Sequence, residues 1–195
     1  MAYEDIAIPV PNFPASAGMF GNKVRDAILD LDRRVSVIES VSANYAVKTV
    51  NSTKASLTTP SADSDLFLQL EANAKYFVEV FIVTSGLAAA DLRTNWAIPS
   101  GAGGTRRVLG PGSSAAVQAD SNGIIMRNGA HAFSTQIDYS ETRDVVNNAI
   151  HIQEFANVNT GATAGQLTFQ WSQAISNATG TVVHADSFIR ATQIG

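Results

Sequence analysis

Residues 166–172 read Gln-Leu-Thr-Phe-Gln-Trp-Ser, with Leu167, Phe169 and Trp171 at one parity and Thr168, Gln170 and Ser172 at the other. Successive side chains of an extended chain point to opposite faces, so this stretch predicts a strand with one face in a core and one toward water. Working outward, residues 43–195 consist mostly of short apolar or alternating runs broken by Gly, Asn, Asp and Pro, at the spacing of a sandwich or barrel. Strands are expected at 45–51, 66–70, 76–83, 92–98, 106–109, 115–118, 123–126, 132–139, 150–157, 166–172, 181–184 and 187–194. Residues 76–83 are apolar at both parities except Glu79, which predicts a central strand covered on both sides and suits a subunit interface. Residues 100–114 carry five Gly and one Pro and read as the most loop-like stretch, with GAGGTRR forming a hairpin or surface loop. No internal repeat is visible. The expected fold is mainly β: an antiparallel, jelly-roll-like β-sandwich over residues 43–195.

Upstream the period changes. Asn22 is a plausible N-cap, and Lys23 to Val41 contains no Gly or Pro, which sets a helix over residues 23–42. Val24, Ile28, Leu31, Val35 and Ile38 follow one another at spacings of four, three, four and three, placing 28 and 35 at heptad position a and 24, 31 and 38 at d. A lone helix of this length is marginal in water, so its seam must be buried, either on the β domain or on another helix. Arg34 falls at g and Glu39 at e, where a parallel partner would bring them together, and this favours self-association. The run RVSVIE at 34–39 resembles the short trimerisation motif of parallel three-stranded coiled coils. That resemblance implies a homotrimer in which the Arg34 stem covers the apolar layer and its guanidinium meets Glu39 of the next helix.

Ahead of the helix, residues 1–22 contain Pro9, Pro11 and Pro14, which remove backbone donors and bias their predecessors toward extended geometry. This extended arm nevertheless carries Tyr3, Ile6, Ile8, Val10, Phe13, Met19 and Phe20, more apolar surface than a solvated tail normally shows. It is expected to lie on its own domain or to dock on a neighbouring protein.

Composition narrows the function classes. The 195 residues are 45% hydrophobic and only 15% charged, enough apolar mass for a core with most polarity supplied by uncharged side chains. The net charge is −4, and the largest basic clusters are the pairs Arg33–Arg34 and Arg106–Arg107, read as solvated faces, so nucleic acid is not an expected partner. Without Cys there is no disulfide, thiolate metal site or thiol nucleophile. The sequence MAYEDIAIPV lacks the basic and apolar regions of a signal peptide, and no segment approaches the roughly 20 apolar residues of a membrane span. A soluble protein made in the cytosol, with no membrane partner, is expected.

Catalytic patterns are not found. GAGGTRR lacks the strand, Lys and helix that a phosphate loop requires. His131, His151 and His184 stand in no two-imidazole metal spacing. Asp63 and Asp65, in SADSDL, read as turn caps, with a weak calcium site as the alternative. Asp138, Glu141 and Asp144 surround Arg143 in a stretch read as a solvated loop rather than a hydrolytic acid pair. No nucleophile elbow or ordered Ser, His and Asp set is present. The sequons at Asn51 and Asn177 are short enough to arise by chance. Trp96 and Trp171 lie in strand patterns and read as core rather than as a sugar platform. A non-enzymatic chain without cofactor or metal is the expectation.

The segment order is an extended arm, the coil GNKVRDAILDLDRRVSVIES, then a β domain containing LQLEANAKYFVEVFIVTSG, ADLRTNWAIPSGA and TVVHADSFIRATQIG. This resembles small virion structural proteins of tailed bacteriophages, particularly those of actinobacterial hosts. The resemblance implies a non-enzymatic, trimeric capsid decoration protein, head fibre or minor tail component. Its partners would be its own copies and the major capsid protein or tail components, and its location the virion. Trimer contacts would come from Val24, Ile28, Leu31, Arg34, Val35, Ile38 and Glu39, and docking from Tyr3, Ile6, Ile8, Val10, Phe13 and Phe20. The alternative is a tail or fibre protein whose β domain recognises a host glycan or protein.

Overall fold

The structure, a computed structural model, describes residues 19–40, 44–112, 126–140 and 149–195, with the side chains of 19–22, 34–40 and 126–128 outside the description. The chain separates into two units, Met1–Val41 and Ser42–Gly195.

In the first unit, helix α1 spans Met19–Ser40. It begins three residues before the expected cap, so Gly21 and Asn22 lie inside its first turn and Phe20 belongs to the helix rather than to the extended arm. The N–H groups of a first turn have no intrahelical acceptor, so weak helix formers are tolerated there. The nearest proline, Pro14, stands well upstream. The rest of the arm lies outside the described residues.

The second unit contains β1 (Asn44–Val47), β2 (Ser52–Lys54), β3 (Ser61–Leu70), β4 (Lys75–Ser85), β5 (Leu92–Ala97), β6 (Gly103–Pro111), β7 (Met126–His131), β8 (Ile137–Tyr139), β9 (Ile150–Asn159), β10 (Gly165–Gln173), β11 (Thr181–Val183) and β12 (Phe188–Gln193). Their pairing is nested. β1 pairs with β12, β2 with β11, β3 with β10, β4 with β9, β5 with β8 and β6 with β7, all antiparallel. The chain is thus one long hairpin turned at β6–β7 and rolled up, the connectivity of a jelly roll. Rolling adds the lateral pairs β12–β4, β11–β4, β9–β6 and β10–β5. Two sheets result: a larger one in the order β1-β12-β4-β9-β6-β7, with β11 also on β4 and β2 on β11, and a smaller one in the order β3-β10-β5-β8.

Alternation then builds the core between the sheets. Tyr76, Val78, Val80 and Ile82 of β4, with Ile152, Ala156 and Val158 of β9, meet Leu66, Leu68 and Leu70 of β3 and Leu167, Phe169 and Trp171 of β10 in one buried cluster. Burying each of the larger apolar side chains contributes about 1.5–3 kcal/mol.

Three expectations change. The strand expected at 106–109 extends to residues 103–111 as β6, into the stretch read as loop, because two of its glycines serve close approach. At Gly104 the backbone has φ +139° and a Cβ would stand 1.9 Å from the Asn157 carbonyl oxygen. At Gly110 a Cβ would stand 2.8 Å from the Tyr139 ring. The expected strand at 132–139 shrinks to β8, since Thr135 N–H donates back to the Ala132 carbonyl at 3.1 Å in a turn. β2 was not anticipated: Ser-Thr-Lys has no apolar parity to read. The expected strand at 115–118 lies outside the described residues, as do residues 123–125.

Candidate interaction surfaces

Five of the thirteen expected contact positions fall on the helix with described backbone but undescribed side chains: Phe20, Arg34, Val35, Ile38 and Glu39. Tyr3, Ile6, Ile8, Val10 and Phe13 lie outside the described residues. The remaining three, Val24, Ile28 and Leu31, are 43%, 42% and 60% exposed. With Lys23 and Ala27 they line an open apolar groove along one side of α1. Positions 24, 28 and 31 share a face because four- and three-residue steps return to nearly the same angle on a helix.

Two buried polar networks stand out among the described residues of the β unit. The Glu154 carboxylate on β9 is fully buried and accepts from Thr94 Oγ1 and Trp96 Nε1, each at 2.6 Å, from Tyr139 Oη at 2.8 Å, and from Arg106 at 2.9 Å. Thr94, Trp96 and Tyr139 belong to the smaller sheet, so this carboxylate bolts the two sheets together. Arg106 also donates to the Thr135 carbonyl at 2.7 Å. The Arg106–Arg107 pair was expected on a solvated face; the structure buries Arg106 completely and exposes Arg107, because neighbours in a strand face opposite ways.

The second network replaces the expected turn caps. Lys48, fully buried, donates to both Asp63 oxygens at 2.9 and 3.1 Å and to Asp65 at 3.0 Å. Asp63 also accepts from Trp171 Nε1 at 2.9 Å. Ala62 pairs with Gln170 and Phe67 with Thr168, so residues 63–66 bulge against Phe169 alone. The bulge frees the N–H groups of Asp65 and Leu66, and Asp63 Oδ1 accepts both, at 3.0 and 3.3 Å. Capping was the correct local role, but it occurs inside a strand. Burial raises the Asp63 pKa; the Lys48 ammonium, the Asp65 amide and the Trp171 indole outweigh it, and the carboxyl ends below its ordinary 3.8. Removing one partner of such a buried pair leaves an uncompensated charge, at a cost of about 3–5 kcal/mol. Both carboxylates are engaged by Lys48, which leaves the calcium alternative without free ligands.

The other candidates disperse. His131 lies on β7, His151 on β9 stacks on Phe81 with centroids 5.5 Å apart, and His184 meets Ser85 Oγ at 2.7 Å. Asp138 lies on β8, within the strand expected at 132–139, and is gripped by Arg93 through two bonds at 2.7 and 2.9 Å. Glu141, Arg143 and Asp144 lie outside the described residues. Trp96 and Trp171 are 2% and 0% exposed, so neither is a sugar platform. Among the described residues no group of three or more His, Asp or Glu is placed to hold a metal ion, and no helix is long and apolar enough to cross a membrane.

What the β unit does present is an unequal pair of outer faces. On the smaller sheet the outward side chains include Gln69, Arg93, Asn95, Gln166, Gln170 and Asp138, with Phe67 the large apolar exception. On the larger sheet the register places Val47, Phe188, Phe81, Gln153 and Leu109 in one row. The next row holds Tyr45, Arg190, Glu79, Phe155 and Arg107, and Phe77 stands in a third. Phe81 stacks on Phe188 at 5.5 Å and Phe77 on Phe155 at 6.2 Å, which leaves these rings half-buried. Tyr45, Val47 and Leu109 remain 69%, 43% and 40% exposed. Arg190 and Glu79 pair with each other within the face. Sequence reading singled out residues 76–83 for this apolar outer parity; the flanking Phe155, Phe188 and Tyr45 become legible only once the register is known.

No family model matches the chain, and no curated protein matches it. Among solved structures it is similar to the Eiger TNF of S. frugiperda, at 11% identity and TM-score 0.37 over 80% of this chain and 93% of that one. It is also similar to the VP2 subviral particle of infectious bursal disease virus, at 8% identity and TM-score 0.21 over 79% of this chain and 41% of that one. At such scores nothing about assembly or binding passes from either protein to this chain.

Proposed function

We propose that this chain is a non-enzymatic structural protein of a bacteriophage virion: a homotrimeric decoration protein that binds the head exterior through its N-terminal arms and reinforces the shell. The observation that carries the reading is the heptad face of α1, whose Val24, Ile28 and Leu31 are exposed in the single chain. An apolar seam of this kind is stable in water only when covered. The jelly-roll unit fits the role: its buried carboxylates are held by donors and its larger sheet carries four outward Phe rings. Three arms acting together would hold firmly even if each binds weakly.

Light scattering of the purified full chain tests the assembly, alongside a variant carrying Val35→Asp and Ile38→Asp. The wild type is expected at close to three times the 20.6 kDa chain mass, and the variant at the mass of one chain. A wild-type mass of one chain, or equal masses for both, overturns the trimer. Density for the protein on the heads of intact particles is expected; its presence only on tails would overturn the head assignment.

A further inference from the structure

Among the described residues of the β unit nothing packs over the outer face of the larger sheet, and its apolar content is high for a solvated side. Antiparallel sheets with a solvated side normally alternate apolar inward and polar outward, and the smaller sheet obeys this. The larger sheet sets Phe77, Phe81, Phe155 and Phe188 on its outward parity, ringed by the exposed Tyr45, Val47 and Leu109. We propose that this face packs against a second copy of the chain, so that the β units, as well as the helices, join within the oligomer. The inference rests on the trimeric reading above and adds to it a second contact surface.

Two observations select a second copy over another occupant. The first is size. From β1 to β6 the face crosses five strands, and the rows from Phe77 to Phe81 extend a few residues along them. At about 4.8 Å per strand and 3.3 Å per residue this is a plane of roughly 400 Å². A stable interface needs roughly 800 Å² on each partner, so the face is too small to capture a free partner from dilute solution. It suffices for a partner already held at an effective concentration in the millimolar range, on the order given by short tethers. The second is connectivity: only residues 41–43 separate the end of α1 at Ser40 from Asn44. Tyr45 and Val47, which follow at once, are members of the face itself. Helices zipped in parallel would therefore deliver one copy's face strand to within a few residues of its neighbours'. Within the face Glu79 and Arg190 pair with each other, and Arg107 adds a positive charge at its β6 edge.

The absence of Cys makes the test clean, because one introduced thiol is the only one in the chain. Leu109→Cys and Tyr45→Cys report on the larger sheet, and Ala97→Cys, exposed on the outer side of β5, is the control. Each is made in the full-length wild type and in the Val35→Asp, Ile38→Asp background, and its rate of alkylation by a maleimide is compared at micromolar protein, with mass measured in parallel. The expected result is at least tenfold slower labelling of Leu109→Cys and Tyr45→Cys in the trimer than in the monomeric background, and equal rates for Ala97→Cys. Equal rates at all three sites in a chain that retains the trimer mass would overturn the inference and leave the trimer standing. A wild-type mass of one chain would overturn both. Slowing at Ala97→Cys as well would show general shielding in the assembly and would likewise count against a face-specific contact.

Discussion

Lys54 and Tyr139 show how single side chains register the cost of closing this sandwich. Lys54 Nζ donates to the Trp171 carbonyl at 2.9 Å and sits over the same residue's ring at 4.4 Å. Burial pushes its ammonium down from 10.5 to about 8; Asp63 opposes this and Lys48 adds to it. Between those values the unfolded chain binds a proton that the folded chain has released, so stability rises with pH. Tyr139 acts the other way. Burial first, then the Glu154 carboxylate, hold its proton well above the ordinary 10, so at higher pH the unfolded chain ionises first and stability falls. The urea midpoint is expected to climb from pH 8 and turn over once pH passes 10, and Lys54→Met is expected to remove the climb but keep the fall. A climb that survives Lys54→Met would assign it to another group. None of this was legible beforehand, because a lysine in Ser-Thr-Lys carries no mark of burial. Glu154 did leave a mark: it shares its strand parity with Ile152, Ala156 and Val158, so an inward carboxylate with a cationic mate could have been sought from alternation alone.

At the scale of elements, legibility followed parity. β10 was readable because its apolar residues keep strict step with the pleat, and β4 because apolar residues at both parities, Phe77 and Phe81 among them, marked it as an unusual strand. β6 was readable only at 106–109; its glycine-bearing ends mimic a loop. Composition alone does not distinguish a glycine placed for freedom from one placed for lack of a side chain. The difference lies in what faces it, here the Asn157 carbonyl and the Tyr139 ring. Gly104→Ala therefore strains both a positive φ and the β6–β9 ladder, and is expected to cost on the order of 2 kcal/mol or more in chemical denaturation. Gly103→Ala, with nothing within 4 Å of the added carbon, is the matched control and is expected to be near neutral. Similar losses from both would show that the close approach at Gly104 is not their cause, since chain entropy favours Ala over Gly. The helix was legible in its period and misjudged at its start, where first-turn residues carry little information about where the turn begins; it is described to Ser40, and the expected residues 41–42 lie outside the description.

For the whole molecule the governing feature is the nested pairing. Partners lie far apart in sequence, β1 with β12 above all, and contacts of such separation make folding slow, since the loop must close before the contact rewards it. β12 lies between β1 and β4, so it completes two ladders at once. A chain ended at Ser187 is expected to leave β1 and much of β4 with open edges and to collect in the pellet, as unpaired strand edges invite aggregation. Soluble, folded protein from that truncation would show the ladder to be dispensable. The same pairing has a mechanical consequence. Asn44 lies opposite Ala191, so the polypeptide enters and leaves this domain side by side through two antiparallel strands. Tension drawn between entry and exit would load their hydrogen bonds one after another and peel the domain open from that corner, whereas a pull shared across many strands must shear whole ladders together. The domain is built to be hung from one corner, not stretched between its two ends.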